Sequence, residues 1–386
     1  MVHLLLLIIY ISFISLGLPD PLLGAAWPTM QVEFGVPVSY AGGISIVITF
    51  CTIISSLLSD RMTMRFGTGR ITAFSVAITA VALFGFSVSR EYWMLLLWAI
   101  PYGLGAGNVD ASLNNYVALH YASRHMSWLH CMWGVGATVG PYVMGAALTG
   151  GMGWNSGYRF IAILQIVLSV ILFVSLPLWK ERKDQTKETE PRKPLSLKQI
   201  FRIPGIREVM IAFFCGCAME TVVGLWASSY FVVKNQLPAD LAASYASLFF
   251  IGMTVGRAIS GFLTYKLNDT QMIRLGSSLI ALGIVVMLLP MGIVSGIVGL
   301  VIIGLGCAPV YPCIIHSAPA HFGEENSQAI IGVQMASAYS GVLLLPPLFG
   351  LVANYLSAAL LPVYLIPVLG MMIWMYEKLV RLHPNC

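Results

Sequence analysis

Twelve apolar stretches of about twenty residues, nearly free of charge, are the feature that most restricts this chain. They lie near 3–28, 39–59, 71–89, 92–118, 127–149, 158–178, 207–232, 241–264, 272–290, 293–317, 327–352 and 358–378. A helix of that length, rising 1.5 Å per residue, matches the roughly 30 Å hydrocarbon core of a bilayer. Helices buried in a soluble core are the alternative, and composition rejects it. The chain is 58% hydrophobic and 10% charged, whereas soluble domains are about 25% charged. Lipid admits only helices or closed barrels, and the Leu, Ile, Val and Ala runs lack the alternation of a barrel strand. The expected fold class is an all-α membrane protein with twelve transmembrane helices in two pseudosymmetric six-helix lobes.

The charges test that count independently. With the N-terminus in the cytoplasm, inner loops hold Arg61, Arg65, Arg70, Arg124, Lys266 and Arg274. The central loop holds nine Lys/Arg between Lys180 and Arg207, and the tail holds Lys378 and Arg381. Together these are 17 of the 21 basic residues. The positive-inside rule therefore puts both termini in the cytoplasm. The net charge of +5 comes from this asymmetry, so no nucleic-acid partner is expected. The first stretch has no basic n-region and no small-x-small cleavage site, so it reads as a retained helix and not a secretion signal. Cys215-Gly-Cys217 and Cys307…Cys313 sit in apolar stretches without metal spacing, and no metal or cofactor is expected.

One long polar segment, KERKDQTKETEPRKPLSLKQIFRIPGI at 180–206, divides the stretches six and six. Its composition is that of a solvated linker, which gives an N-terminal lobe at 1–179 and a C-terminal lobe at 207–386. The halves echo each other. Asp20-x-x-x-Gly24 and Glu220-x-x-x-Gly224 stand at an offset of 200, and each is followed closely by a tryptophan, Trp27 and Trp226. Gly103-Leu104-Gly105 recurs as Gly304-Leu305-Gly306 at an offset of 201. A six-plus-six repeat across a basic loop is the sequence form of a two-lobed transporter with its site near the midplane.

The turn Ser59-Asp60-Arg61-Met62-Thr63-Met64-Arg65-Phe66-Gly67-Thr68-Gly69-Arg70 resembles the G-x-x-x-D-R-x-G-R-R signature of the major facilitator superfamily. Ser56 stands at the leading glycine, and the glycine after Asp-Arg is missing. Gly256-Arg257-x-x-x-Gly261 is its partner in the second half. The resemblance implies that Asp60, Arg61 and Arg70 gate or pack the lobes. Ordinary inner-loop charge accounts for the same residues.

Four residues that are normally charged lie well inside the apolar stretches: Asp20, Asp110, Glu220 and Arg257. An ionised group at the bilayer centre costs on the order of 3 kcal/mol or more. Each must face water, be paired or bind a proton. Asp20 sits between Pro19 and Pro21, which remove backbone donors and kink the helix around the acid. It is either a coupling or substrate site, or a cap for the carbonyls that the kink frees. Asp110 and Asn114 share a helical face, and Asn108 and Asn115 lie roughly 150° away. The first pair is expected to face a cavity, and the second to bond a neighbouring helix. His130 and Trp133 share a face three residues apart. Tyr311 and Gln334 stand at the positions of Asp110 and Trp133 in the repeat. Glu220 is the counterpart of Asp20, and Arg257 is expected as a structural partner.

Gly-Leu-Gly-x-Gly-x-x-Asp-x-x-x-Asn at 103–114 and Leu-His-x-x-Trp-Gly-x-Gly-Ala-x-x-Gly-Pro at 129–141 resemble the fucose–galactose–glucose proton symporter branch of that superfamily. The resemblance implies coupling through Asp20 and Asp110 and sugar binding through Asn114. His130 replaces the branch's amide in the fifth stretch. Carboxylates, amides and tryptophan faces also suit a polyol, which needs hydrogen bonds at its edge and stacking on its apolar face. Proton or cation coupling is expected at Asp20, Asp110 and Glu220, and substrate contact at Asn114, His130, Trp133, Trp27, Trp226 and Gln334. The expected activity is import of a sugar or similar small polar solute, coupled to H+ or Na+, by a monomer in a bacterial cytoplasmic membrane. Gly136-x-x-x-Gly140-Pro141-x-x-x-Gly145 resembles a motif of exporters, so proton-driven efflux is the competing reading. A non-transporting sensor is a third. No nucleophile–base or metal constellation suggests an enzyme.

Overall fold

The computed structural model describes residues 2–37, 40–180 and 194–383. Most of the linker expected at 180–206 lies outside the described residues. Helices account for nearly all of the rest, and no strand occurs among the described residues.

Contacts group the chain into two compact units. Unit 1 is Met1–Tyr116 with Leu129–Leu195, and unit 2 is Val117–Trp128 with Ser196–Cys386. The division expected from sequence had put Val117–Trp128 in the first half, but its contacts are with the second. Unit 1 contains α1 (Val2–Gly17), α2 (Leu22–Phe34), α3 (Tyr40–Phe66), α4 (Thr68–Val88), most of α5 (Tyr92–His120) and α6 (Ser123–Thr149), α7 (Gly153–Val174) and the short α8 (Leu176–Lys180). Unit 2 contains the short α9 (Leu197–Ile200), then α10 (Ile206–Asn235), α11 (Ala239–Leu263), α12 (Asp269–Leu288), α13 (Ile293–His316), the short α14 (Ala318–Phe322), α15 (Glu324–Val352) and α16 (Leu361–Leu382).

Ten described segments are long and apolar enough to cross a membrane. One of them, Glu324–Leu382, holds both α15 and α16, separated by a π turn and a 3-10 turn at Ala353–Leu360. The 29-residue α5 is not among the ten, because its glycines, asparagines and Asp110 lower its hydropathy. Counting α5 and separating α15 from α16 gives the expected twelve, with α1 and α2 forming the first.

Glycine explains why the repeat survives in both halves. A methyl group on Gly103 would strike the α3 backbone at Ile48, and one on Gly105 would strike Thr79 and Ser75 of α4. In unit 2, a methyl on Gly304 would strike Phe249 of α11, and one on Gly306 would strike Gly276 and Ile280 of α12. Each Gly-Leu-Gly thus seats its helix against the second and third spanning helices of its own half. Without a hydrophobic drive in lipid, such close approach is what associates helices. Hydroxyls fasten the same seam: Thr52 donates to the Gly103 carbonyl at 3.2 Å and Ser56 to the Gly107 carbonyl at 3.4 Å.

Candidate functional site

The sequence predicted a kink at Pro19-Asp20-Pro21, and the structure places a break there between α1 and α2. The break leaves Asp20 solvent-accessible. Both of its carboxylate oxygens accept hydrogen bonds. Tyr102 of α5 donates its hydroxyl to Oδ1 at 3.2 Å, and Trp133 of α6 donates its indole Nε1–H to Oδ2 at 3.0 Å. Both donors are neutral. Glycines let the indole reach the acid: a methyl on Gly17 would strike the Trp133 carbonyl, and methyls on Gly136 and Gly140 would strike Ile14 and Leu18. Two thirds of the exporter-like glycine pattern is therefore occupied in bringing α6 onto α1. A methyl on Gly145 would meet nothing.

One turn away on α6, His130 joins a second polar chain. Asn114 donates through Nδ2 to Asp110 Oδ1 at 2.8 Å, and His130 Nε2 lies 3.1 Å from Asn114 Oδ1. Phe13 of α1 meets the His130 ring edge-on, with centroids 5.4 Å apart. The face shared by His130 and Trp133 thus looks onto α1. Asp110, Asn114 and His130 are 5%, 0% and 5% exposed. The pair expected to face a cavity is instead buried, and Asn114 is bonded to the neighbouring helix. Asn108, expected to make such a bond, is half-buried, and among the described residues its Nδ2 reaches its own helix at the Leu104 carbonyl. Helical period gives the angle between two faces, but does not say which of them is inside.

In unit 2, Glu220 of α10 receives Arg257 Nη2 of α11 at 3.3 and 3.5 Å. The Arg257 side chain is 4% exposed and that of Glu220 is 21%. Sequence reasoning expected a structural role for Arg257 but did not identify the acid it pairs with. A small cavity beside the pair is lined by Phe213, Gly216, Cys307 and Tyr311, and the Tyr311 hydroxyl points at Met335 Sδ, 3.3 Å away.

Other expected contacts lie elsewhere. Trp27 is buried in the unit 1 core and meets Tyr92 edge-on. Trp226 donates to the Pro346 carbonyl at 3.0 Å and packs on Phe349, which ties α10 to α15. Gln334 is fully buried, and neither polar atom of its side chain has a partner among the described residues. Its neighbour Ser337 bonds the Met210 carbonyl, ten residues or roughly 15 Å along α10 from Glu220. The structure therefore does not bring Gln334 to the acid. Asp60 is buried, whereas Arg61 and Arg70 are exposed around a turn where Gly69 packs under Trp179. Tyr102 is the residue that sequence reading missed. Among the described residues no group of three His, Cys, Asp or Glu could hold a metal.

The family model for the Major Facilitator Superfamily matches residues 5–346. "Bypass of stop codon protein 6" of Saccharomyces cerevisiae is 23% identical over 289 residues, 68% of this chain and 57% of that protein. The chain thus spans a little over half the length of that relative. "Glucose/mannose transporter GlcP" of Bacillus subtilis is 21% identical over 355 residues, 88% of this chain and 86% of that one. Among solved structures, the transporter FucP in its outward conformation superposes with a TM-score of 0.77 at 14% identity, covering 97% of this chain and 98% of FucP.

Proposed function

We propose, from the premise that this chain belongs to the Major Facilitator Superfamily, that it is a cation-coupled importer of a sugar or similar small polar solute. Asp20 carries the reading. It is an accessible carboxylate at a helix break inside the membrane, and its described partners are the neutral donors Tyr102 and Trp133. No counter-charge among these partners balances it, so a proton or sodium ion is the group that completes the site. Glu220 already has Arg257. Asp20 is therefore the coupling residue, and Glu220 with Arg257 is a structural pair beside the second cavity.

Substrate recognition centres on Trp133 and Tyr102, which offer an aromatic face and a hydroxyl next to the acid, as a polyol requires. Asp110, Asn114 and His130 hold α5 to α6 and pass the state of one helix to the other. The similarity to a glucose/mannose transporter supports a hexose-type substrate. The excess of basic residues in the inner turns supports a reading with both termini in the cytoplasm, and the proposed transporter is a monomer in a bacterial cytoplasmic membrane. Gly136 and Gly140 of the exporter-like pattern do not favour efflux, because the packing of α6 on α1 accounts for both.

Purified protein in liposomes containing a pH-sensitive dye tests this reading. Adding D-glucose, D-mannose or L-fucose outside should acidify the lumen or, in sodium buffer, should draw in sodium. Asp20→Asn should abolish concentrative uptake while keeping solute exchange. Uptake that survives gradient dissipation would refute the coupling. Dye export from inverted vesicles without any response to the three sugars would establish the efflux reading instead.

A further inference from the structure

The turn from α5 to α6 is held by a network that the transport site does not use. Asp269, the first residue of α12, accepts a hydrogen bond from the Ser123 hydroxyl and one from His316 Nδ1 at 2.6 Å. His316 Nε2 lies 3.0 Å from the Tyr121 carbonyl. A carboxylate and a carbonyl are both acceptors. An imidazole can serve two acceptors only when both ring nitrogens carry hydrogen, which is the charged imidazolium. The three side chains are not a catalytic triad, because Ser123 donates to the acid and His316 accepts nothing from Ser123.

The same segment has further anchors within unit 2. Arg124 lies over the Tyr265 ring at 5.0 Å, and Trp128 meets Phe262 edge-on at 5.6 Å. Trp128 also lies so close to Gly261 that no side chain fits there, which explains the second glycine of Gly256-Arg257-x-x-x-Gly261. Besides Asp269, the titratable groups around His316 come from several elements. Cys313 is on its own helix, with Sγ 4.0 Å from Ser123 Oγ. Tyr376 of α16 reaches Thr270 at 3.3 Å, and Arg274 of α12 is paired with Glu377. His321 of α14 stacks edge-on with His383. Tyr121 and His125 belong to the segment itself.

We propose that His316 is a second proton-binding site, a latch that fastens the α5–α6 segment to α12 and α13 only while it is protonated. When it loses a proton to water, one ring nitrogen becomes an acceptor facing an acceptor, so either the Tyr121 or the Asp269 bond is lost. The chain enters and leaves this segment through α5 and α6, which also carry Tyr102 and Trp133 to Asp20. Releasing the latch therefore frees the ends of the two helices that position the membrane acid. The orientation proposed above places the latch in the cytoplasm, where it senses cytoplasmic pH.

Hydrogen exchange read by mass spectrometry, on the full chain in nanodiscs, tests this without any transport substrate. Imidazole titrates between about pH 5 and pH 8. Corrected for intrinsic rates, peptides covering residues 117–128 should exchange on the order of 10-fold faster at about pH 8.5 than at about pH 6, the effect of one charge-assisted bond. His316→Gln should exchange fast at both pH values. Asp269→Asn, which keeps the shape and removes the charge, should lose protection at the lower pH. Peptides from α4 serve as the control for global unfolding. Equal corrected rates at both pH values in the wild type, or an undiminished pH response in His316→Gln, would overturn the latch. Neither result bears on the coupling at Asp20, which the liposome assay reads separately.

Discussion

The pair Glu220–Arg257 predicts an asymmetry that a generic salt bridge does not. Removing one member of a buried ion pair costs roughly 3–5 kcal/mol, because the other charge is left uncompensated. The two members of the pair differ here. After Glu220→Met, Arg257 keeps a guanidinium in a site where its side chain is 4% exposed, and a guanidinium cannot discharge. After Arg257→Met, Glu220, which is 21% exposed, can meet water. We expect about 3 kcal/mol for Glu220→Met and about 1 kcal/mol for Arg257→Met, the smaller value reflecting that access to water. For a unit of this size these correspond to falls of roughly 6–12 °C and 2–4 °C. The double variant, with both charges replaced by apolar side chains, should lie closer to wild type than Glu220→Met does. Thermal aggregation of the purified protein, followed by size-exclusion chromatography, gives all four values. An Arg257→Met variant as unstable as Glu220→Met, or a double variant at least as unstable as the sum of the singles, would refute the reasoning.

Gly136→Ala and Gly140→Ala should each cost about 1–3 kcal/mol by overpacking α6 against α1, whereas Gly145→Ala, which meets nothing, should be neutral in the same thermal assay. Trp133→Phe keeps the ring but removes the donor to Asp20 Oδ2. It should weaken sugar-driven proton uptake in liposomes by about tenfold, the value of a hydrogen bond to a charged group, with little change in thermal stability. His130→Leu removes the ring nitrogen that lies 3.1 Å from Asn114 Oδ1 and leaves that oxygen buried, a loss of about 1–3 kcal/mol, while His130→Gln should restore most of it.

How much of this was legible follows from the range over which each signal acts. The helix break at Asp20 was readable because proline acts on its own backbone. The Gly-Leu-Gly repeat was readable because glycine in a lipid-embedded helix marks a close neighbour, and the same offset recurred at a second place. The shared face of His130 and Trp133 needed only the helical period. Partners across the fold were not readable. Tyr102 is 82 residues from Asp20, and in an apolar run it looks like any other aromatic. Trp27 and Trp226 follow their acids closely, seven and six residues on, yet one is buried in a core and the other is tied to a backbone carbonyl, because each packs against helices that differ between the halves. The segment 117–128 reads as part of the first half, since nothing in its composition names His316 or Asp269 as its partners.

The two acids at an offset of 200 show how a repeat can keep a position and change its chemistry. Each lies near the midpoint of the first spanning element of its half, where the fold supplies access to the neighbouring helices. In unit 1 the neighbours offer a phenol and an indole, which orient a carboxylate without cancelling its charge. In unit 2 the neighbour offers a guanidinium, which cancels the charge and ties α10 to α11. Proline decides the rest: Pro19 and Pro21 break the helix beside Asp20 and expose it, whereas α10 runs unbroken from Ile206 to Asn235 past Glu220. A coupling acid must gain and lose its partner during each cycle, and a carboxylate with only neutral donors at a helix break can do so at less cost than one already joined to arginine. Exchanging the environments tests this. Arg257→Gln with Tyr102→Phe would leave Glu220 with a neutral partner and strip Asp20 of one, and if the partners set the roles, proton movement in liposomes should fall without transferring to Glu220 unless α10 is also broken.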